Sequence, residues 1–204
     1  MARDEERVAR SDEKPVVGGL PDAPGIVAAM RLTPNLAVHL RGLADALLVD
    51  DYPGTTLSRA ERELIATGVS AANDCFYCMD SHGAFAAELL RRANVAGVDL
   101  LVDGVKIGGS PVSPKLAALL ELARVTRKNA RNVTREHVAA ALSAGATDAD
   151  AQLAILIASA FSMYNRMVDG LRAHTPPSAE AYRARAKEIA DHGYSDPRVQ
   201  SLPR

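Results

Sequence analysis

Residues 61–82, ERELIATGVSAANDCFYCMDSH, hold both cysteines of the 204-residue chain, Cys75 and Cys78, with His82 four positions beyond the second. The stretch opens as a helix. Ser58 and Glu61 have the S-x-x-E spacing of a capping box, in which two side chains satisfy backbone N–H groups that a first helical turn leaves unpaired. Leu57, Leu64, Ile65, Val69 and Ala72 then recur along one side. Ala60, Ala66, Thr67 and Ser70 surround Glu63 with small side chains, which lets a second helix come close enough to bury that carboxylate. Asn73 is expected to cap the following helix, which carries Cys75, Cys78 and His82 and continues through AFAAELLRRA.

On that helix the two cysteines are three positions apart and Cys78 and His82 are four apart, so all three side chains share a face. Three readings fit the pattern. The first is a redox dithiol: two close sulfurs can form a disulfide, and the imidazole reaches Cys78 as a base. The second is a metal site, with Asp80 or Glu63 completing two thiolates and one imidazole, although neither another Cys pair nor a His-x-x-x-His is present. The third is two small core residues beside an incidental histidine. His39, alone on the preceding helix, reads as an ordinary surface or core residue.

The flanks read as further helices. Thr33 and Pro34 start one over 33–48, with Leu36, Leu40, Leu43 and Leu47 at helical spacing. Segments 113–129, 134–145 and 147–173 each show capping residues followed by helical periodicity, and 178–194 supplies a last amphipathic helix. Residues 94–111, NVAGVDLLVDGVKIGGSP, read as a glycine-containing connection. The sum is an all-α chain of about seven helices. It comprises a charged, mobile arm over 1–20, one domain over 21–195 and a tail over 196–204. A faint echo, Glu63-Leu64 with Ser70-Ala71 against Gln152-Leu153 with Ser159-Ala160, suggests a degenerate internal repeat.

Composition narrows the function. Apolar residues make up 48% of the chain and tryptophan is absent, which favours a core of close-packed aliphatic helices. The 24 basic and 25 acidic residues leave a net charge of -1, which gives no general attraction to nucleic acid. The start, MARDEERVARSDEKP, lacks the apolar stretch of a secretory signal, and no run suits a membrane span, so a cytoplasmic protein is expected. In a reducing compartment a close cysteine pair reads as catalytic, redox-sensing or metal-binding rather than as a structural disulfide.

Residues 61–82 resemble the signature of the alkylhydroperoxidase D-like proteins of the carboxymuconolactone decarboxylase superfamily, in which Glu, eleven residues, Cys-x-x-Cys, three residues and His form a proton relay. The likeness is close from about residue 24 to 90, including PGIVAAMRLTPNLAVHLRGLADALL. The remainder is compatible with the longer peroxidase-related branch, whose chains continue into an AFSMYNRM-like helix and an AYRARAKEIADHGY-like end. The resemblance implies an AhpD-like helical fold and a hydroperoxide reductase or thiol-disulfide oxidoreductase that uses no metal or organic cofactor. It maps the relay glutamate to Glu63 beside Cys75, Cys78 and His82. It also implies an external dithiol reductant (a lipoyl group, a peroxiredoxin or a thioredoxin-like protein) and assembly into trimers or hexamers. One position departs: the best-known pattern has histidine before the second cysteine, where this chain has Tyr77. A non-redox decarboxylase-like enzyme and a redox-sensing or assembly module stay open as alternatives.

Within the pair, two effects compete. The helix dipole favours charge on Cys75, nearer the N-terminus, by only ~0.3–1 kcal/mol. The imidazole one turn from Cys78 is expected to outweigh it, making Cys78 the attacking sulfur and Cys75 the resolving one. Cys75, nearer the helix mouth, is then the sulfur expected to meet the external dithiol.

Overall fold

The computed structural model describes residues 14–109, 111–177 and 180–197. Among them run nine α-helices and one short 3-10 turn, with no strand. In chain order the helices are α1 Ile26–Leu32, α2 Pro34–Leu48, α3 Arg59–Ala72, α4 Phe76–Arg92, α5 Val98–Ile107, α6 Pro114–Asn129, α7 Arg135–Ser143, α8 Asp148–Leu171 and α9 Glu180–His192. The hairpin α3–α4 forms the centre. α6 and α8 pack against α3, while α9 packs on α4. Leu64, Ile65, Leu119, Leu122, Leu153 and Ile157 are withdrawn from solvent where these helices meet.

Two helices exceed the sequence expectation. α5 occupies the segment read as a connection: Val98, Val102 and Val105 recur on its buried face, but glycines at both ends and Gly104 inside mask the periodicity. α1 is a seven-residue helix that starts at Gly25 and stops before Pro34. Thr33 sits at the junction. It holds the expected N-cap position of α2 before Pro34, but its hydroxyl bonds back to the Ala29 carbonyl at 3.0 Å, closing α1, and makes no side-chain cap bond to α2.

The Ser58–Glu61 capping box forms: Glu61 N donates to Ser58 Oγ at 3.2 Å and Ser58 N to Glu61 Oε2 at 2.8 Å. Asn73, expected to open α4, instead terminates α3. Its side-chain amide donates to Asn165 and its oxygen accepts from Arg127. The residue at the N-cap of α4 is Cys75, after Asp74 in the left-handed region at φ 57°. The internal echo pairs unlike surroundings: Glu63 and Ser70 are buried, whereas Gln152 and Ser159 are exposed.

Most of the expected N-terminal arm and C-terminal tail lies outside the described residues. Leu20 packs beside the cluster that contains Cys75. No described helix is long and apolar enough to cross a membrane.

Candidate active site

Glu63 lies in the first half of α3 with 0% exposure, and both of its carboxylate oxygens are engaged. Oε2 is 2.7 Å from His82 Nδ1, across the α3–α4 interface. Oε1 accepts a 2.6 Å bond from the Tyr194 hydroxyl. Burial, together with the charge of Glu63 and this bond, pushes the Tyr194 phenol well above its ordinary range, so it is a fixed donor. The His82 ring is held edge-on by Phe161, with centroids 4.5 Å apart, and by Phe85 at 5.2 Å. Its Nδ1 is committed to the carboxylate, which leaves Nε2 as the nitrogen for chemistry.

Tyr194 reaches Glu63 because the chain turns sharply after α9. Gly193 has φ 74°, and an added Cβ there would lie 2.8 Å from Asp45 Oδ1. The Asp45 carboxylate on α2 clamps the turn, accepting from Tyr194 N at 2.6 Å and Ser195 N at 2.9 Å. Four helices, α2, α3, α4 and α8, and a hook therefore fix one carboxylate–imidazole pair.

The cysteines differ in access. Both thiols are free. Cys78 and His82 line a cavity of about 50 Å³, along with Tyr77, Phe161, Arg41 and Arg185. Cys75 is not among the lining residues; it is wholly buried behind them, in a cluster with Ala23, Ala28, Val168 and Tyr182. The expectation that Cys75 meets an external dithiol therefore needs correction: its place at the helix N-terminus is covered by residues from both ends of the domain. A hydrogen bond to Cys78, and then burial, push the Cys75 thiol far up. The neutral thiol is therefore favoured at Cys75.

Tyr77 packs rather than reaching into the relay. Its ring lies against Gly25, where an added Cβ would come within 2.1 Å, and 5.9 Å from the Tyr182 ring. Asp80, a conceivable fourth metal ligand, pairs with Lys106 at 3.0 Å. Among the described residues no group of three or more His, Cys, Asp or Glu side chains is arranged to hold a metal ion. His39 is exposed on α2, and Glu61 stays at the start of α3 beside Lys115.

Residues 34–90 match the carboxymuconolactone decarboxylase family. The fold matches the alkylhydroperoxidase AhpD core of an uncharacterized peroxidase-related protein from Ralstonia eutropha JMP134, with a TM-score of 0.67 and 26% identity over 78% of this chain and 80% of that one. The chain has an AhpD-like all-α fold, and its residues 34–90 are similar to the carboxymuconolactone decarboxylase family. An uncharacterized peroxidase-related protein from Silicibacter sp. TM1040 shares the fold, with a TM-score of 0.68 and 21% identity over 83% of this chain and 95% of that one. No curated protein matches.

The matched family segment of this AhpD-like chain contains Glu63, both cysteines and His82, but neither Tyr194 nor Arg185. Tyr194 escaped the sequence reading because 131 residues separate it from Glu63 and no periodicity links the two. The signal available was the Gly193-Tyr194 pair directly after an amphipathic helix: a turn former followed by a large amphipathic side chain.

Proposed function

We propose that the protein reduces organic hydroperoxides through Cys78 and Cys75. The observation that carries this reading is the shared cavity: Cys78 and His82 open on the same small space, and the other ring nitrogen of His82 is pinned to a buried carboxylate. His82 Nε2 takes the proton of the Cys78 thiol, while Glu63 holds the ring and stabilises the imidazolium. The thiolate attacks the outer peroxide oxygen and the O–O bond breaks. The alkoxide leaves with the proton from His82, giving an alcohol and a Cys78 sulfenic acid.

Cys75 then forms the S–S bond, and its proton leaves with the sulfenic hydroxyl as water. The disulfide faces the cavity through Cys78, so an external dithiol meets it there. One reductant sulfur bonds to Cys78, Cys75 takes up a proton, and the second reductant thiol displaces Cys78 to restore the pair. Tyr194 is a positioning residue in this scheme. By satisfying Glu63 Oε1 it leaves Oε2 for His82.

The test is consumption of tert-butyl hydroperoxide with dihydrolipoamide, or another dithiol, as reductant. Dithiol-dependent turnover that disappears in Cys78→Ser supports the reading. Thiols that still titrate fully after mild peroxide treatment would defeat it, and oxidation without turnover would leave a sensor rather than an enzyme.

Self-association is also proposed. Leu36 and Leu43 lie seven positions apart on α2 and remain exposed on a different side of the helix from Arg41. A symmetric contact would cover them. Light scattering that finds only single chains at micromolar concentration would remove this proposal.

A further inference from the structure

Glu63 and Tyr194 belong to a short closed ring of contacts. Arg59, the first residue of α3, donates through Nη1 to the Ala190 carbonyl at 3.0 Å and through Nη2 to the Ile189 carbonyl at 3.1 Å, both in the last turn of α9. Four residues after Ala190, Tyr194 returns to Glu63, and Glu63 lies four residues after Arg59 on α3. Residues four apart on a helix share a face and are about 6 Å apart along its axis. One turn of α3 therefore spans the hook, gripping the chain before Gly193 with Arg59 and after it with Glu63.

A guanidinium suits the first of these grips. The last carbonyls of a helix lack most of their intrahelical partners and carry partial negative charge, and the arginine fork brings two N–H donors and a positive charge to them. The charge also reaches the hydroxyl. Burial, and then Glu63, push the Tyr194 phenol up, with Arg59 and then Arg185 working against them. A second tie to the same helix end lacks this reach: Arg92 on α4 pairs with Asp191, is exposed, and bonds to neither Tyr194 nor Glu63.

We propose that Arg59 is a positioning residue of the Glu63–His82 pair: by holding the end of α9 it seats Tyr194 on Glu63 Oε1 and so keeps Oε2 for His82. The inference rests on the peroxidase reading for its effect on rate, and on the ring of contacts for its effect on the pair. Without Arg59 the hook keeps its Asp45 clamp but loses its register on α3. Glu63 Oε1 is then left short of a donor inside the protein, which is costly, and the bond that orients His82 is no longer fixed.

The first test is kinetic. Arg59→Gln should slow single-turnover thiol oxidation by tert-butyl hydroperoxide roughly tenfold, and no more than Tyr194→Phe does, because Arg59 acts through that hydroxyl. The double variant should match Tyr194→Phe alone, whereas independent effects would multiply to about a hundredfold. Arg59→Lys, which keeps the charge without the fork, should fall between Arg59→Gln and wild type, and Arg92→Gln should leave the rate unchanged. A double variant in which the effects multiply, or an Arg92→Gln as slow as Arg59→Gln, reduces Arg59 to a tie for α9 and overturns the proposal.

The second test needs no peroxide. The His82 ring signal in NMR at fixed pH, assigned by its loss in His82→Gln, should be displaced in Arg59→Gln in the same direction as in Tyr194→Phe and stay in place in Arg92→Gln. That pattern, in a protein whose thiols no peroxide oxidises, would end the peroxidase reading and leave the positioning role standing. A signal unmoved in Arg59→Gln overturns the proposal. If Arg59→Gln does not fold, Arg59→Lys carries both readouts, with a smaller slowing and a smaller displacement expected; wild-type behaviour in both would then overturn it.

Discussion

Glu63 and Asp150 are both carboxylates fully withdrawn from solvent, one on α3 and the other near the start of α8, yet their partners differ in kind. Asp150 accepts from Thr55 Oγ1 at 2.6 Å, Thr56 N and Oγ1 at 2.7 Å each, and Thr147 N at 2.9 Å. These donors are hydroxyls and amides that keep their protons. Burial opposes the charge on Asp150, but the bonds from Thr55, Thr147 and Thr56 outweigh it and hold the carboxyl well below the usual range. Glu63 has one fixed donor, Tyr194, and one partner, His82, of a type that exchanges protons near neutral pH. A carboxylate saturated by fixed donors fastens the chain; one that shares an imidazole can take part in moving a proton.

The largest effect expected from this contrast is on stability. Asp150→Ala should cost about 3–5 kcal/mol in urea denaturation, because four donors lose their acceptor and the 55–56 loop loses its tie to α8. The pH dependence has a definite sign. The folded-state pKa of Asp150 is depressed, so its contribution is complete above the unfolded value of about 4 and is lost progressively as pH falls below it. Asp150→Asn should flatten that acid limb; an unchanged limb would place the acid-sensitive group elsewhere.

Glu63→Gln comes next, and its cost should fall on rate. A roughly 100-fold slower oxidation of Cys78 is expected, with a smaller stability loss than Asp150→Ala. If stopped-flow thiol oxidation is unchanged, Glu63 is a fastener like Asp150 and the contrast collapses.

Tyr194→Phe sharpens the comparison by removing one bond from Glu63. About tenfold in oxidation rate and about 1 kcal/mol in stability are expected. The discriminating readout is the pH–rate profile, which should move in this variant and stay put in Asp150→Asn, where only the fold is touched. Glu61→Gln should have the smallest effect, roughly 1 kcal/mol or less in melting experiments and no change in rate, since Glu61 is occupied by the capping box.

Much of the α3–α4 hairpin was legible in the sequence because its signals are local. The capping box, the apolar side of α3 and the i, i+3 and i, i+4 spacings of the motif need only neighbouring residues to be read. What was not legible depends on distant chain. Leu36 and Leu43 continue the same stripe as Leu40 and Leu47, but only the latter two face the core; periodicity marks an apolar side without showing how much of it another helix covers. α5 was hidden by glycines that its left-handed termini require. The burial of Cys75 and the hook that brings Tyr194 to Glu63 arise from contacts between the first and last segments of the domain, which no spacing rule connects.

The central claim is that Cys78, on the cavity beside His82, attacks the peroxide, while Cys75 waits behind it. It is tested most directly by sulfenic-acid trapping and mass spectrometry on the two single variants after one equivalent of tert-butyl hydroperoxide. Cys75→Ser should give rapid, trappable sulfenic acid at Cys78, and Cys78→Ser should react slowly with little trapped product. Fast trapping at Cys75 in the second variant, with a sluggish Cys78 in the first, would contradict the account.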